Sequence, residues 1–168
     1  MDLDYVLYDT AVFTNVANTE QVLFQVAQGG DATHTESFTN MRGSGALPQE
    51  EGFSCNRIGV TVDFDTAGEE DYTTVWRGSF LEVRVSDKTV LKAPLALFSA
   101  ANMYGGHYSQ ASAANNAVIG LQGDGMKLDI PITIKGGTAF RVRVVQANAT
   151  SAASKNMKVW LRGTLTTP

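Results

Sequence analysis

The sequence predicts an all-β protein, and three observations support this fold class. Apolar and polar side chains alternate with a period of two in several short runs, as in half-buried β-strands. A comparable helical period is not seen in any run. Clusters of Gly, Asn, Asp and Ser separate the runs along the whole chain, at the spacing of a sandwich or barrel and not of alternating strands and helices. The runs number about eight.

The N-terminal third of the chain contains three of these runs. They are predicted at Val6–Phe13, Gln21–Ala27 and Glu36–Met41. Glycines follow the second run at Gly29 and Gly30, and Gly43, Gly45 and Pro48 form a turn region after the third. Glycine and proline interrupt regular structure, so these positions predict the ends of the strands.

The next run, Phe53–Phe64, is stronger but changes parity along its length. Its second half keeps a period of two through Ile58, Val60 and Val62, whereas Phe53 and Cys55 fall on the opposite parity. A β-bulge places one extra residue in a strand and thereby restores a common face. We therefore predict a bulge near Asn56–Arg57.

Two further runs, Trp76–Val85 and Thr89–Ala93, predict a hairpin around Ser86–Asp87–Lys88. The longest irregular segment follows, Ser99–Ala117, and contains Tyr104 and Tyr108 among small residues. Loops of this length are functional or disordered in compact domains. Contact with a partner, passive covering of the sheets and small-ligand binding all remain open for this segment, and its alanines permit a short helix.

The clearest alternation lies on either side of Gly136–Gly137 and predicts a β-hairpin. In its first arm one face carries Leu128, Ile130, Ile132 and Ile134, and in its second arm one face carries Phe140, Val142 and Val144, with Arg141 and Arg143 opposite. Pro131 lies inside the first arm. Because proline lacks a backbone N–H, we expect an edge strand or a bulge there, and an edge is a place where another chain can add.

The final run, Lys158–Leu165, places Val159, Leu161 and Leu165 on one face and Trp160 on the other. Aromatic side chains that face away from a core are enriched at protein interfaces. Tyr104, Tyr108, Trp160 and the edge position Pro131 are therefore the candidate assembly contacts.

Composition limits the class of protein. A chain of 168 residues with 43% hydrophobic content can bury a core as one domain spanning residues 1–168. A net charge of −4 argues against direct binding of nucleic acid. The single cysteine, Cys55, excludes an internal disulfide and is expected in the core. The N-terminus carries Asp2 and Asp4 where a signal peptide carries positive charge, and no apolar run approaches the ~18 residues of a membrane span.

Catalytic and metal-binding patterns are not found in the sequence. His34 and His107 are distant from each other and lie in polar loops, so both are expected as exposed loop histidines. The acidic stretch Asp63–Asp71 fails as a calcium loop of the EF-hand type, because Ala67 and Thr74 occupy ligand positions. The sequence also lacks a Gly-x-Ser-x-Gly nucleophile motif. We expect a chain that is not an enzyme and has no catalytic, cofactor-binding or metal-binding residues.

Three segments resemble the single jelly-roll major capsid proteins of tailless icosahedral, membrane-containing DNA bacteriophages. The first runs from Thr39 to Val62 and includes the Leu47–Pro48 turn and Ile58–Gly59–Val60. The second runs from Gly78 to Leu95. The third comprises Lys127–Val145, around Gly136–Gly137, and the terminal segment Val159–Pro168. Their order and spacing carry the resemblance.

The resemblance implies one eight-stranded jelly-roll barrel or sandwich of two four-stranded antiparallel sheets. It implies a structural virion protein of the capsid that associates with itself and with a second coat protein into an icosahedral shell. The shell would lie close to an internal membrane and make no direct contact with nucleic acid. An alternative is a jelly-roll module of a virion spike that binds carbohydrate or a receptor. A third reading, an enzyme of the cupin type, lacks the paired histidines of that metal site.

Overall fold

The computed structural model describes residues 1–62, 78–98, 103–108, 117–121, 125–149 and 155–168, with side chains in all but Val62, 103–108, 117–121 and Lys155. Strands dominate this part of the chain, as the alternating sequence predicts. In chain order they are β1 Asp2–Phe13, β2 Thr19–Leu23, β3 Gly52–Val62, β4 Phe80–Val85, β5 Lys88–Pro94, β6 Met103–Tyr108, β7 Ala117–Leu121, β8 Met126–Lys135, β9 Phe140–Gln146 and β10 Lys155–Thr166. A short 3-10 helix, Leu95–Phe98, follows β5.

Eight of these strands form two four-stranded antiparallel sheets. Sheet 1 has the order β1-β10-β3-β8, and sheet 2 has the order β2-β9-β4-β5. When the eight strands are counted along the chain, the first pairs with the eighth, the second with the seventh, the third with the sixth and the fourth with the fifth. This connectivity is that of a jelly roll. The predicted fold class is confirmed.

The core lies between the two sheets and is filled by the inward-facing residue of each alternating pair. β9 shows the pattern fully, because Phe140, Val142 and Val144 are buried while Arg141 and Arg143 are partly exposed. The ring of Phe140 packs against that of Phe24, with 5.7 Å between the centroids. Apolar side chains from both sheets therefore share one core, which is what stabilises a two-layer sandwich.

The predicted bulge in β3 is present. The register of β3 shifts between Cys55 and Arg57 against β8, and the same place is irregular against β10. As a result Phe53 and Cys55 face the core together with Ile58 and Val60, and all four are buried. One extra residue has thus restored a common apolar face.

The predicted hairpin of β4 and β5 is also present. The two strands pair in antiparallel register from Phe80 opposite Pro94 to Val85 opposite Lys88. Ser86 in the turn has a φ of 53°, in the left-handed region that tight hairpin turns require.

The hairpin predicted around Gly136–Gly137 is wrong in its pairing. β8 pairs with β3 in sheet 1, whereas β9 pairs with β2 and β4 in sheet 2, so the turn carries the chain from one sheet to the other. Gly137 has a φ of 70° in this turn. Both arms point their apolar faces into the same core from opposite sides, and alternation alone does not distinguish this arrangement from a hairpin.

Ile130 was also predicted to face the core and does not. Leu128 and Ile134 are buried, but Ile130 is 84% exposed. Residues 128–131 have no partner on β3, where the register jumps from Cys55 opposite Ile132 to Arg57 opposite Lys127. The strand bulges away from its neighbour at this point, which turns Ile130 outward.

Two other segments differ from the sequence-based expectation. Residues 36–41 form no strand. The segment expected to be irregular, residues 99–117, contains β6, which pairs with β7 as a separate two-stranded ribbon. Two ends of predicted runs lie outside the described part of the chain, residues 63–64 of the run Phe53–Phe64 and residues 76–77 of the run Trp76–Val85. The acidic stretch Asp63–Asp71 lies outside it as well.

Candidate assembly surface and cavity

Trp160 lies on the outer face of sheet 1, as the alternation of β10 predicts. Its ring packs flat over Gly59 on the adjacent strand, where a Cβ atom would overlap the ring. Its partner on the other side is Tyr8 of β1, so two aromatic residues are neighbours on this face. Both are partly exposed. Because Gly59 has no side chain, the tryptophan ring can lie over it. The ring places an apolar group at the centre of the outer face of sheet 1.

Pro131 lies on β8, which is an edge strand of sheet 1, and the expectation of an edge or bulge is confirmed. It is exposed together with its neighbour Ile130. Proline at an edge blocks the ladder at one position because it has no N–H to donate. At this edge of sheet 1, Pro131 thus blocks addition of another strand at one position, and Ile130 exposes an apolar side chain.

Tyr104 and Tyr108 are placed on β6, opposite Gly120 and Ala117 of β7. The structure describes only the backbone of this ribbon, and their side chains lie outside the described residues. The four candidate contacts therefore lie on three different strands. Trp160 is central on sheet 1, Pro131 is at its edge, and the two tyrosines belong to a separate ribbon.

The other edge of sheet 1 is β1, and side chains cover most of it. The Asn40 amide accepts a hydrogen bond from Tyr8 N (2.8 Å) and donates one to Val6 O (2.7 Å). The Gln21 amide accepts from Val12 N (2.6 Å) and donates to Val12 O. These amides supply the bonds that a neighbouring strand would supply. This function was not predicted, because nothing local in the sequence links Asn40 to β1.

A cavity of about 400 Å³ opens beside this covered edge. It lies between β1, β2 and the segment that follows β2. Its lining includes Asp9, Gln21, Gln25, His34 and Phe38. A volume of this size is in the range of small-molecule sites.

Asp9 is the buried acid of this cavity and is 2% exposed. Its carboxylate accepts hydrogen bonds from Thr10 N (2.9 Å) and Phe24 N (2.5 Å). Burial raises the pKa of Asp9, and these two backbone N–H groups and nearby His34 oppose that rise. Because β1 belongs to sheet 1 and Phe24 directly follows β2 of sheet 2, Asp9 ties the two sheets together. Phe24 has a φ of 64°, a left-handed conformation that this bond helps to hold.

Sequence reasoning missed Asp9, although a signal was present. Leu7, Ala11 and Phe13 occupy the inward positions of β1, and Asp9 lies on the same parity. A charged residue on an inward face is uncommon unless its polar atoms are satisfied. The break in alternation at Asp9 marks a structural hydrogen-bonding residue.

His34 differs from the exposed loop residue that was predicted. It lines the cavity, its side chain is only 21% exposed, and its Nδ1 lies 2.7 Å from Asp31 Oδ1. Hydrogen bonds from Thr33 and His34 lower the pKa of the Asp31 carboxyl. His107 lies on β6, and its side chain is outside the described residues.

Sheet 2 presents a different outer face, which is charged and internally paired. Arg143 Nε lies 3.4 Å from Glu20 and 3.6 Å from Glu82. Lys92 Nζ lies 4.4 Å from the centroid of the Phe80 ring and covers it. A hydrogen bond from Thr89 lowers the pKa of Glu82. The Phe80 ring on this face is thus covered by cations of the same sheet, whereas Val22 on β2 is 40% exposed.

Comparisons with known proteins identified no relative of this chain. No family model matches the sequence, and no curated protein and no solved structure is significantly similar to it. Among the described residues, no group of three or more His, Cys, Asp or Glu is placed to hold a metal ion. A helix long and apolar enough to cross a membrane is likewise absent from that part of the chain. The strands define a jelly-roll β-sandwich.

Proposed function

We propose that this chain is a structural, non-enzymatic virion protein, a capsid protein that assembles into an icosahedral shell. It associates with copies of itself and with a second coat protein. Its position is in the capsid, near an internal membrane and without direct contact to nucleic acid. The resemblance of three segments to phage capsid proteins motivates the proposal, and the jelly-roll connectivity supports it.

Fold alone does not choose this function, because jelly rolls also occur in lectins and cupins. The observation that carries the proposal is the distribution of exposed apolar residues. Among the described side chains, the large exposed apolar residues on or beside edge strands are Met1, Leu3, Val6 and Ile130 in sheet 1 and Val22 and Val90 in sheet 2. Exposed apolar groups gathered at sheet edges mark surfaces that contact another chain.

Sedimentation velocity of the purified chain over a wide concentration range tests this proposal. Discrete symmetric oligomers, sheets or shells are the expected result. A chain that stays monomeric at the highest concentration, alone and with candidate coat-protein partners, would overturn it.

A second candidate function is a carbohydrate- or receptor-binding module of a virion spike. The observation that favours it is the partly exposed Trp160 ring seated on Gly59 beside Tyr8, because flat aromatic faces stack on sugar rings. Glycan screening tests it. Binding that is lost in Trp160→Ala, in a chain that remains monomeric, would favour this function over assembly.

A further inference from the structure

The four edge strands of the two sheets differ in how they are protected against addition of another strand. β5 carries Lys88, Lys92 and Pro94 and a register irregularity, and β2 is only five residues long. Lysine, proline, bulges and short length are the usual devices that protect an edge. The two edges of sheet 2 are therefore poor templates. β8 carries the same devices at Pro131 and at its bulge over residues 128–131, so only its segment from Pro131 to Lys135 is considered as a template.

The edge of β1 is open over only its first residues. Met1 and Thr167 exchange two backbone hydrogen bonds, of 2.6 and 2.9 Å. Because the hydrogen-bonded pairs of an antiparallel ladder alternate, the odd-numbered residues of β1 are the ones that bond to β10. In an antiparallel pair the intervening residues point their N–H and C=O groups away from the partner. Asp2 and Asp4 therefore face the free edge, and the side-chain cover described above begins only at Val6 O.

The same alternation can be followed across sheet 1 to its other edge. The odd-numbered residues of β10 form backbone hydrogen bonds with β1, so its even-numbered residues form them with β3. On β3, the residues that bond to β8 are then Phe53 and Cys55, opposite Ile134 and Ile132. The residues of β8 between and beside these face the free edge. They are Pro131, Thr133 and Lys135, and all three are exposed.

We propose that the Asp2–Val6 end of β1 in one copy of the chain pairs antiparallel with Pro131–Lys135 of β8 in a second copy. This inference rests on the proposed self-assembly. The register places Asp2 opposite Lys135, Asp4 opposite Thr133 and Val6 opposite Pro131. Sheet 1 then continues from one copy into the next through a head-to-tail contact.

The backbone groups of the two edges match in this register. Val6 O is already bonded to Asn40, and Pro131 has no N–H that would require it. At the other end Lys135 O accepts a hydrogen bond from Thr138 N (3.0 Å) and closes its own turn. Four bonds remain between the copies: Val6 N to Pro131 O, Thr133 N to Asp4 O, Asp4 N to Thr133 O, and Lys135 N to Asp2 O. At one end the engaged Val6 O thus meets a residue without an N–H. At the other end Asp2 N, which faces the engaged Lys135 O, keeps water as its partner.

The side chains match as well. On the outer face Asp2 meets Lys135, a pair of opposite charges. On the inner face Tyr5 lies opposite Ile132, and both are only partly buried in their own copies. Leu3, which is 42% exposed, lies opposite Ile134, which is already buried in its own core. Antiparallel pairing of Asp2–Val6 with the same segment of another copy would instead place the two Asp4 residues opposite each other, which is unfavourable across strands. Pairing of Pro131–Lys135 with itself would place Lys135 opposite Pro131 and would form no pair of opposite charges.

Disulfide trapping tests the register. Asp4→Cys and Thr133→Cys are made in separate full-length chains. Directly opposite residues in an antiparallel pair lie about 5.5 Å apart at Cα, within the range a disulfide spans. The native Cys55 is buried and does not interfere. We expect a disulfide-linked dimer when the two variants are mixed, none in either variant alone, and a ladder of linked species when both substitutions are in one chain.

Each other outcome has a definite meaning. Disulfide dimers of Asp4→Cys alone would show symmetric β1 pairing and overturn the proposal. Association in sedimentation with no trapped species would overturn this interface and leave self-assembly standing. Absence of any association would overturn both the interface and the proposed function.

Charge reversal provides an independent test with a matched control. Lys135→Glu or Asp2→Lys should weaken self-association by a factor of roughly 3 to 10, because an ion pair becomes a like-charge pair. The combined Asp2→Lys, Lys135→Asp chain should recover it. Lys88→Glu makes the same charge change on the exposed edge strand β5 and should have no effect. A loss of association in Lys88→Glu that equals the loss in Lys135→Glu would contradict the assignment.

Discussion

Trp160 and Gly59 form a pair in which the small residue permits the position of the large one. The indole lies where a Cβ at position 59 would stand. Such cross-strand contacts are the units that stabilise a sheet face. The outer face of sheet 1 therefore depends on a residue with no side chain.

Gly59→Ala is expected to displace the Trp160 ring and to destabilise the protein by about 1 to 3 kcal/mol, the usual cost of overpacking. Urea unfolding measures this change, and fluorescence in a Trp76→Phe background reports the environment of Trp160. In a Trp160→Ala chain the same Gly59→Ala substitution should cost little. Equal costs in both backgrounds would show that the ring is not what excludes a side chain at position 59.

Cys55 illustrates how burial suppresses chemistry. The thiol is 1% exposed, and burial raises its pKa to about 12 from an ordinary value of 9.0. The folded chain therefore holds this proton at a pH where the unfolded chain has lost it. The sign follows directly: this residue's contribution to stability is intact below about pH 9 and declines as the pH rises toward 12.

We expect a thiol reagent at pH 8 to label Cys55 only after denaturant has unfolded the chain. Between pH 9 and 12 the free energy of unfolding should fall more for the native protein than for Cys55→Ala, which has no thiol to ionise. Rapid labelling of the folded protein at pH 8 would show that the thiol is accessible.

At the scale of elements, β1 is completed by side chains that come from other segments. Asn40, in the part of the chain predicted as a strand, instead supplies its amide to Tyr8 and Val6. Two residues earlier, Phe38 O accepts a hydrogen bond from Thr10 Oγ1 (2.8 Å). Residues 36–41 thus protect an edge without extending the sheet.

Asn40→Ala should cost about 1 kcal/mol, because two edge groups on β1 return to water. It should also increase self-association, because the open edge becomes longer. Urea unfolding and light scattering measure the two effects. Asn40→Asp keeps the acceptor for Tyr8 N but not the donor for Val6 O, so it should fall between the native protein and Asn40→Ala. Unchanged stability and scattering in Asn40→Ala would show that the amide is not a functional cap.

At the scale of the whole molecule, the two chain ends are neighbours. β1 and β10 pair over their full length, and Met1 N bonds to Thr167 O. Pairing of such distant segments is intrinsically slow to form. The β6–β7 ribbon belongs to neither four-stranded sheet.

Deletion of residues 105–112 removes part of that ribbon and should leave the sandwich folded, because no strand of either four-stranded sheet is touched. It should weaken assembly if the tyrosines of this segment are contacts. Circular dichroism with urea unfolding, followed by sedimentation, checks both expectations. A chain that fails to fold would show that the ribbon is part of the structural core.

The sequence by itself determined where the eight strands of the two sheets lie and most of the faces they bury, but it also predicted a strand at residues 36–41 that does not form. Alternation predicted the inward faces of β9 and β10, the changed parity predicted the bulge after Cys55, and Pro131 predicted an edge. These features are local, since a residue's face depends on its position along its own strand.

Only the tertiary structure decided which strands pair and which polar groups meet. β8 and β9 read as a hairpin but lie in different sheets, and Ile130 turns outward where β8 leaves β3. Asn40 covers the edge of β1 through hydrogen bonds to residues distant in sequence. Asp9 joins the two sheets through a hydrogen bond that the pattern of apolar residues does not indicate. Alternation with a period of two shows which face of a strand points inward. It does not show which strand lies beside that strand, because any neighbouring strand offers the same backbone hydrogen-bonding groups.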